Sequence, residues 1–169
     1  MDLKYLQTPF PAEDIEWRVG RSGISNSGKP FVMALAYLTS RAVMERLDQV
    51  CGPENWQNEY EAGPSGGIIC GISIRVPRKD DSGNVFDHEW VTKWDGAENT
   101  QVEAIKGGLS DSMKRAAVQW GIGRYLYNLE ATFADVAASS QPGWNFVKID
   151  GKNFYWKPPQ LPGWALPNS

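Results

Sequence analysis

Ile68-Ile69-Cys70-Gly71-Ile72-Ser73-Ile74-Arg75-Val76-Pro77 is the stretch on which the fold class turns. Ile68, Cys70, Ile72, Ile74 and Val76 alternate with Ile69, Gly71, Ser73 and Arg75, so a strand built on them has a mostly apolar face and a mixed one. Trp56–Glu61 before it and Val85–Trp94 after it are further strand candidates. Gly63-Pro64-Ser65-Gly66-Gly67 and Asp80-Asp81-Ser82-Gly83-Asn84 separate the three, and loops of this composition join hairpins. The trio reads as an antiparallel meander.

Toward the C-terminus, Asn99 or Thr100 can cap a helix, and Glu103 adds favourable charge in its first turn. The helix runs to about Trp120 and ends at Gly121. On a helical wheel Ile105, Leu109, Met113, Ala116 and Trp120 form one stripe, predicted to pack on the sheet. Lys114 points nearly opposite, Arg115 lies on the far flank and Lys106 at the other border. Gly107 and Gly108 leave room for a second backbone or a nucleic acid strand to approach. Periodicity alone makes Lys114 and Arg115 a solvated face, with Asp111 pairing to either at i+3 or i+4, while Glu103 can neutralise Lys106. Beyond Gly121, Arg124–Glu130 reads as a short helical turn, Ala137–Gly143 as a linker, and Phe146–Trp156 as a hairpin turning on Asp150-Gly151. Residues 157–164 are too rich in proline for helix or central strand.

Toward the N-terminus, Phe31–Tyr37 reads as a strand and Ser40–Cys51 as a helix, because Val43, Leu47 and Val50 recur at helical spacing. Thr39-Ser40 supplies the cap and Gly52-Pro53 the stop; a single long helix from Phe31 is the competing reading. Residues 20–30 read as a loop, and Pro9-Phe10-Pro11 marks an arm that docks by Phe10 and Trp17. The expected class is α+β: a strand and helix, then a three-stranded antiparallel meander packed against a long C-terminal helix. The expected organisation is an N-terminal arm and loop over residues 1–30, a core over 31–130, and a Pro/Trp-rich hairpin and tail over 131–169.

The chain of 169 residues suits one domain with a hydrophobic core. Its net charge of −3 argues against a dedicated reader of duplex DNA, yet allows a basic groove on an acidic surface or one assembled by several subunits. Cys51, Cys70 and His88 leave little room for a zinc site, and the cysteines read as buried free thiols in a reducing compartment. No apolar run approaches the roughly 20 residues that span a bilayer, and Met1-Asp2-Leu3-Lys4 lacks a signal-peptide core, so a soluble cytoplasmic protein is expected. No activated nucleophile, phosphate loop or metal-ligand spacing is legible, so the expectation is a protein that is not an enzyme and needs no cofactor.

Asp111-Ser112-Met113-Lys114-Arg115-Ala116-Ala117-Val118-Gln119-Trp120-Gly121-Ile122-Gly123-Arg124-Tyr125-Leu126-Tyr127 resembles the signature of the Rad52/22 family of single-strand annealing proteins, in its phage and bacterial branch. Leu6-Gln7-Thr8-Pro9-Phe10-Pro11 with Trp17 and Gly20, and Arg46-Leu47-Asp48-Gln49-Val50-Cys51 followed by Trp56, extend the likeness over about residues 5–130. The resemblance implies subunits joined in rings or helical arcs of roughly ten, with single-stranded DNA in an outer groove, its bases turned outward to meet a complementary strand. It implies recombination and repair of double-strand breaks, no bond made or broken, and an exonuclease or a single-strand-binding protein as a further partner. An end-binding protein that protects single strands without annealing them is the alternative.

On the same resemblance, Lys114 and Arg115 match the helix pair that contacts phosphates, with Lys106 on the same helix. Tyr37 matches an aromatic position near the groove, and Arg41 is a candidate on the following helix. Arg78 and Lys79 stand as counterparts of a second, outer DNA site, with Lys93 behind them. Where the eukaryotic members carry another arginine this chain has Val118, and Arg124 is the candidate to replace that charge.

Overall fold

The computed structural model describes residues 1–64, 66–97 and 104–168, with the side chains of residues 97 and 104–106 outside that description. In chain order the strands and helices are β1 (Ile15–Ile24), β2 (Pro30–Leu38), α1 (Ser40–Cys51), β3 (Trp56–Ala62), β4 (Ile68–Lys79), β5 (Val85–Ala97), α2 (Ala104–Gln119), β6 (Thr132–Ala134), β7 (Val136–Ala137), β8 (Asn145–Ile149) and β9 (Lys152–Trp156). The class is α+β. Three three-stranded sheets run in the orders β1-β2-β6, β3-β4-β5 and β7-β9-β8. The chain forms two compact units: Met1–Thr8 with Leu38–Tyr125, and Pro9–Tyr37 with Leu126–Ser169.

In the first unit the meander forms as the alternation predicts. Trp56 pairs with Ile74 and Tyr60 with Cys70 across β3 and β4, while Ile72 pairs with Lys93 and Ile74 with Val91 across β4 and β5. Cys70, Ile72 and Ile74 are fully buried on the face where α2 packs. On the other face the ring of Trp94 lies against the backbone of Gly71, and Ser73 bonds Thr92 at 2.7 Å. Thr39 caps α1 by accepting the Ala42 N–H, Gly52 ends it at φ +89°, and Val43 and Leu47 are buried as their spacing requires. A single helix from Phe31 is excluded. The Arg46 guanidinium donates to the carbonyls of Tyr5, Leu6 and Thr8, which ties residues 1–8 to α1 above the buried Leu6.

β3 reaches only as far as Ile74, so Arg75–Lys79 and Val85–Trp90 continue as a two-stranded ribbon. Its register steps from Arg78↔Asp87 to Lys79↔Val85, leaving Phe86 as the extra residue of a bulge. Phe86 is 67% exposed and Trp90 47%.

In the second unit β1 corrects the loop expected over residues 20–30. Gly20, Ser22, Gly23 and Ile24 belong to the strand, and the turn is Ser25–Lys29, closed by Ser25 N–H to Lys29 O at 2.8 Å with Gly28 at φ +82°. The glycines serve close packing instead of a turn. A Cβ on Gly20 would lie 2.7 Å from Leu35, and one on Gly23 3.1 Å from the Phe31 ring. β2 pairs with β6 through Met33↔Phe133, a partner no local signal announces. β8 and β9 form the expected hairpin on Asp150 and Gly151, both at positive φ, and β7 adds Val136 opposite Trp156. Ala137 therefore ends a strand instead of opening a linker. Val32, Ala34, Ile149 and Trp156 form the core of this unit, with Trp17 and Phe154 packed on it. Phe10 is buried as the docking reading expects.

Candidate nucleic-acid interface

α2 carries the two cations that the sequence singles out. Met113 and Ala116 are buried on the predicted stripe, but so are Ser112 and Ala117, so the helix is covered over a wider arc than one sheet-facing stripe. Gly108 is buried as well, and a Cβ there would stand 2.8 Å from Ile68. That glycine admits the sheet, not a nucleic acid strand. The expected caps Asn99 and Thr100, and Glu103, lie outside the described residues.

Lys114 is not on the solvated back that the wheel predicts: its side chain is only 12% exposed, with Nζ 3.5 Å from Asp111 Oδ1. α1 borders α2 through Ser40 Oγ and Ser110 Oγ at 2.7 Å, and Ser110 lies one turn before Lys114 on the same flank. Arg115 is the exposed member at 57%, with Nε 3.5 Å from Oδ1 of Asp95 on β5. Asp95 also accepts Gln119 Nε2 at 3.0 Å and the Gly96 N–H at 2.7 Å. Burial works to raise the Asp95 carboxyl, but these two hydrogen bonds and the Arg115 charge hold it below the usual carboxylate range. Both cations therefore have a carboxylate within ion-pair reach, and a phosphate would exchange for a partner already present.

The C-terminal end of α2 gathers two more cations. Gly121 N–H donates to Val118 O and Ile122 N–H to Ala117 O, with Gly121 at φ +94°, a glycine C-cap motif. Arg124 donates Nε and Nη2 to Val118 O at 3.1 and 2.8 Å, and Nη2 also reaches Gln119 O at 3.0 Å. Lys93 Nζ lies 3.3 Å from Gln119 O and 4.7 Å from the centre of the Trp120 ring, whose Nε1 donates to Ile72 O. These cations complement the negative end of the helix dipole. A guanidinium does stand at Val118, but on its backbone carbonyl.

The other candidates are scattered over separate elements. Arg41 is exposed in the first turn of α1. Lys106 falls in the first turn of α2, where its side chain lies outside the described residues. Arg78 pairs across the ribbon with Glu89, and Lys79 precedes Asp80 and Asp81. Residues 80–89 carry Asp80, Asp81, Asp87 and Glu89 without a lysine or arginine, which makes the ribbon tip acidic. Tyr37, in the second unit, has the Arg18 guanidinium 5.0 Å from its ring centre, and Arg21 stands likewise over Phe31 at 5.7 Å. Sequence reasoning misses Arg18 and Arg21, because their segment reads as arm and loop and residues three apart fall on opposite faces of a strand. It also misses Asp95.

Cys51 and Cys70 are free and buried, and burial pushes each thiol up to about 11. Among the described residues no three His, Cys, Asp or Glu side chains could hold a metal ion, and no helix is long and apolar enough to cross a membrane.

A family model described as Rad52/22 family double-strand break repair protein matches residues 3–145. A protein of Deinococcus radiodurans named single-stranded DNA-binding protein DdrA is 35% identical over 167 residues, spanning 98% of this chain and 67% of the relative. Its namesake in Deinococcus deserti is 32% identical over 168 residues, spanning 98% of this chain and 70% of the relative. No solved structure matches the chain at a significant level.

Proposed function

The chain belongs to the Rad52/22 family of double-strand break repair proteins, and on that premise we propose that it binds single-stranded DNA along α2 and anneals complementary strands during recombinational repair. The observation that carries this reading is Arg115, exposed on a helix fixed against the meander, with Lys114 beside it. Cations on a rigid element hold phosphates irrespective of base, and bases left without side-chain hydrogen bonds stay readable by a second strand. Tyr37 with its stacked Arg18 sets an aromatic beside a cation, a combination suited to a base and its phosphate, and Arg41 and Lys106 are further candidate contacts. Arg124, Arg78 and Lys79 are assigned weaker shares, since Arg124 is held on carbonyls and Arg78 on Glu89.

The functional core of this proposal is residues 31–130, with residues 131–169 accessory to it. Copies of the chain assemble side by side, in a ring or arc of roughly ten as the family implies, in a bacterial cytoplasm or a phage-infected cell. The exposed Phe86 and Trp90 of the ribbon support assembly, because a projecting two-stranded ribbon is stabilised when its apolar side chains are covered. No catalysis and no cofactor enter this reading.

The test is Lys114→Ala combined with Arg115→Ala. Loss of two phosphate contacts lowers the slope of log affinity against log salt by about 1.4, together with the annealing rate of two complementary oligonucleotides. Unchanged binding and annealing in the double variant would remove α2 from the interface. A second reading, protection of single-stranded ends without annealing, is favoured by the relatives' name, which specifies binding alone. Shielding of an oligonucleotide from exonuclease with no acceleration of pairing selects it.

A further inference from the structure

Asp95 lies twenty residues before Arg115 in the chain and on a different element, yet it is the carboxylate that Arg115 meets. Its three hydrogen bonds are unequal. Oδ1 accepts the Gly96 N–H at 2.7 Å and Oδ2 accepts Gln119 at 3.0 Å, whereas Arg115 Nε reaches Oδ1 only at 3.5 Å. The two short bonds fix the carboxylate without any help from the arginine. Only Nε of Arg115 faces Asp95, and among the described residues neither Nη group has an acceptor.

Resting on the proposed contact between α2 and DNA, we propose that Asp95 is a resident counter-charge: it occupies Arg115 in the DNA-free protein, competes with phosphate for it, and so limits affinity. A carboxylate that belonged to the contact itself would move with the arginine. This one is anchored from Gln119 and from its own strand, so it stays behind as a fixed negative charge when Arg115 turns to a phosphate. Breaking that pair offsets part of what the phosphate contact contributes, and so weakens DNA binding at each subunit. The physical role suits an annealing protein, which must release the paired product: an affinity held down at every subunit lets many weak contacts be strong together and still be undone. Because Asp95 acts through Arg115 and does not touch DNA, it is a positioning residue, and the low carboxyl pKa keeps it charged at any pH near neutral.

The experiment compares wild type, Asp95→Asn and Asp95→Ser for binding of an oligo-dT strand by fluorescence anisotropy across a salt series. Both neutral variants are expected to bind about threefold to tenfold more tightly at moderate salt, the range of a surface charge interaction. In an Arg115→Ala background the gain disappears, which a merely structural role of Asp95 does not produce. Using two replacements of different shape covers the case in which one of them fails to fold. Equal or weaker binding by both folded variants, with wild type binding normally, overturns the inference and leaves the DNA reading intact. Absence of binding by wild type itself overturns the reading, and the inference with it.

Discussion

A Cβ built on Gly71 would stand 2.8 to 2.9 Å from three atoms of the Trp94 ring, well inside contact distance. The ring covers the strand because nothing projects beneath it, and a methyl group there has to lift the indole off the sheet. Gly71→Ala is therefore expected to cost about 1 to 3 kcal/mol in urea unfolding, the range for overpacking a fitted contact. Combining it with Trp94→Ala should cost less than the two single losses added together, since the clash is then gone. Equal and additive losses would show that the ring is not what makes glycine necessary. A reading of the sequence sees Gly71 as a gap in the mixed face of a strand. It cannot see that a tryptophan 23 positions later fills the gap, because register across β4 and β5 is a long-range property. The same blindness explains Asp95. A helical wheel shows Lys114 and Arg115 with Asp111, the only acid within a turn of both, and says nothing of the acid on the adjoining strand.

Among the elements, those with local signals were legible. α1 has a threonine cap, a periodic apolar stripe and a Gly-Pro stop; β3, β4 and β5 alternate between turn-rich loops; β8 and β9 flank Asp150-Gly151. β1 was not legible, because glycines that serve packing against Leu35 and Phe31 have the same appearance in sequence as glycines that make turns. The end of α2 tests how far its cations are structural. Arg124 closes two carbonyls of the last turn, so Arg124→Ala is expected to lower stability by about 1 kcal/mol, a typical contribution of a charged helix-end partner. Thermal unfolding measures this, and the salt slope of DNA binding should fall by less than in Arg115→Ala. A lowered salt slope with unchanged melting would instead make Arg124 the charge that replaces an arginine at Val118.

For the whole molecule, a net charge of −3 and an acidic ribbon tip set the basic residues in a minority, which concentrates any phosphate binding on a few places. Self-assembly then multiplies those places. Phe86→Ser removes the most exposed large apolar side chain of the ribbon and is expected to reduce particle mass in light scattering, with the monomer's circular dichroism unchanged. Assemblies of unaltered mass would place the subunit contact elsewhere. The pairing of Val32 with Ala134 has a different consequence. It closes a loop of about 100 residues, and the whole first unit except residues 1–8 is threaded inside that loop in sequence. During synthesis, β1 and β2 leave the ribosome early, but Val32 and Ala34 have no core until Ile149 and Trp156 follow. The interior segment has all its strands and helices by residue 119 and can fold first. The two units are thus expected to fold in the reverse of the order in which their first strands are made, and the nascent hairpin is the part of the chain that waits longest for its partners.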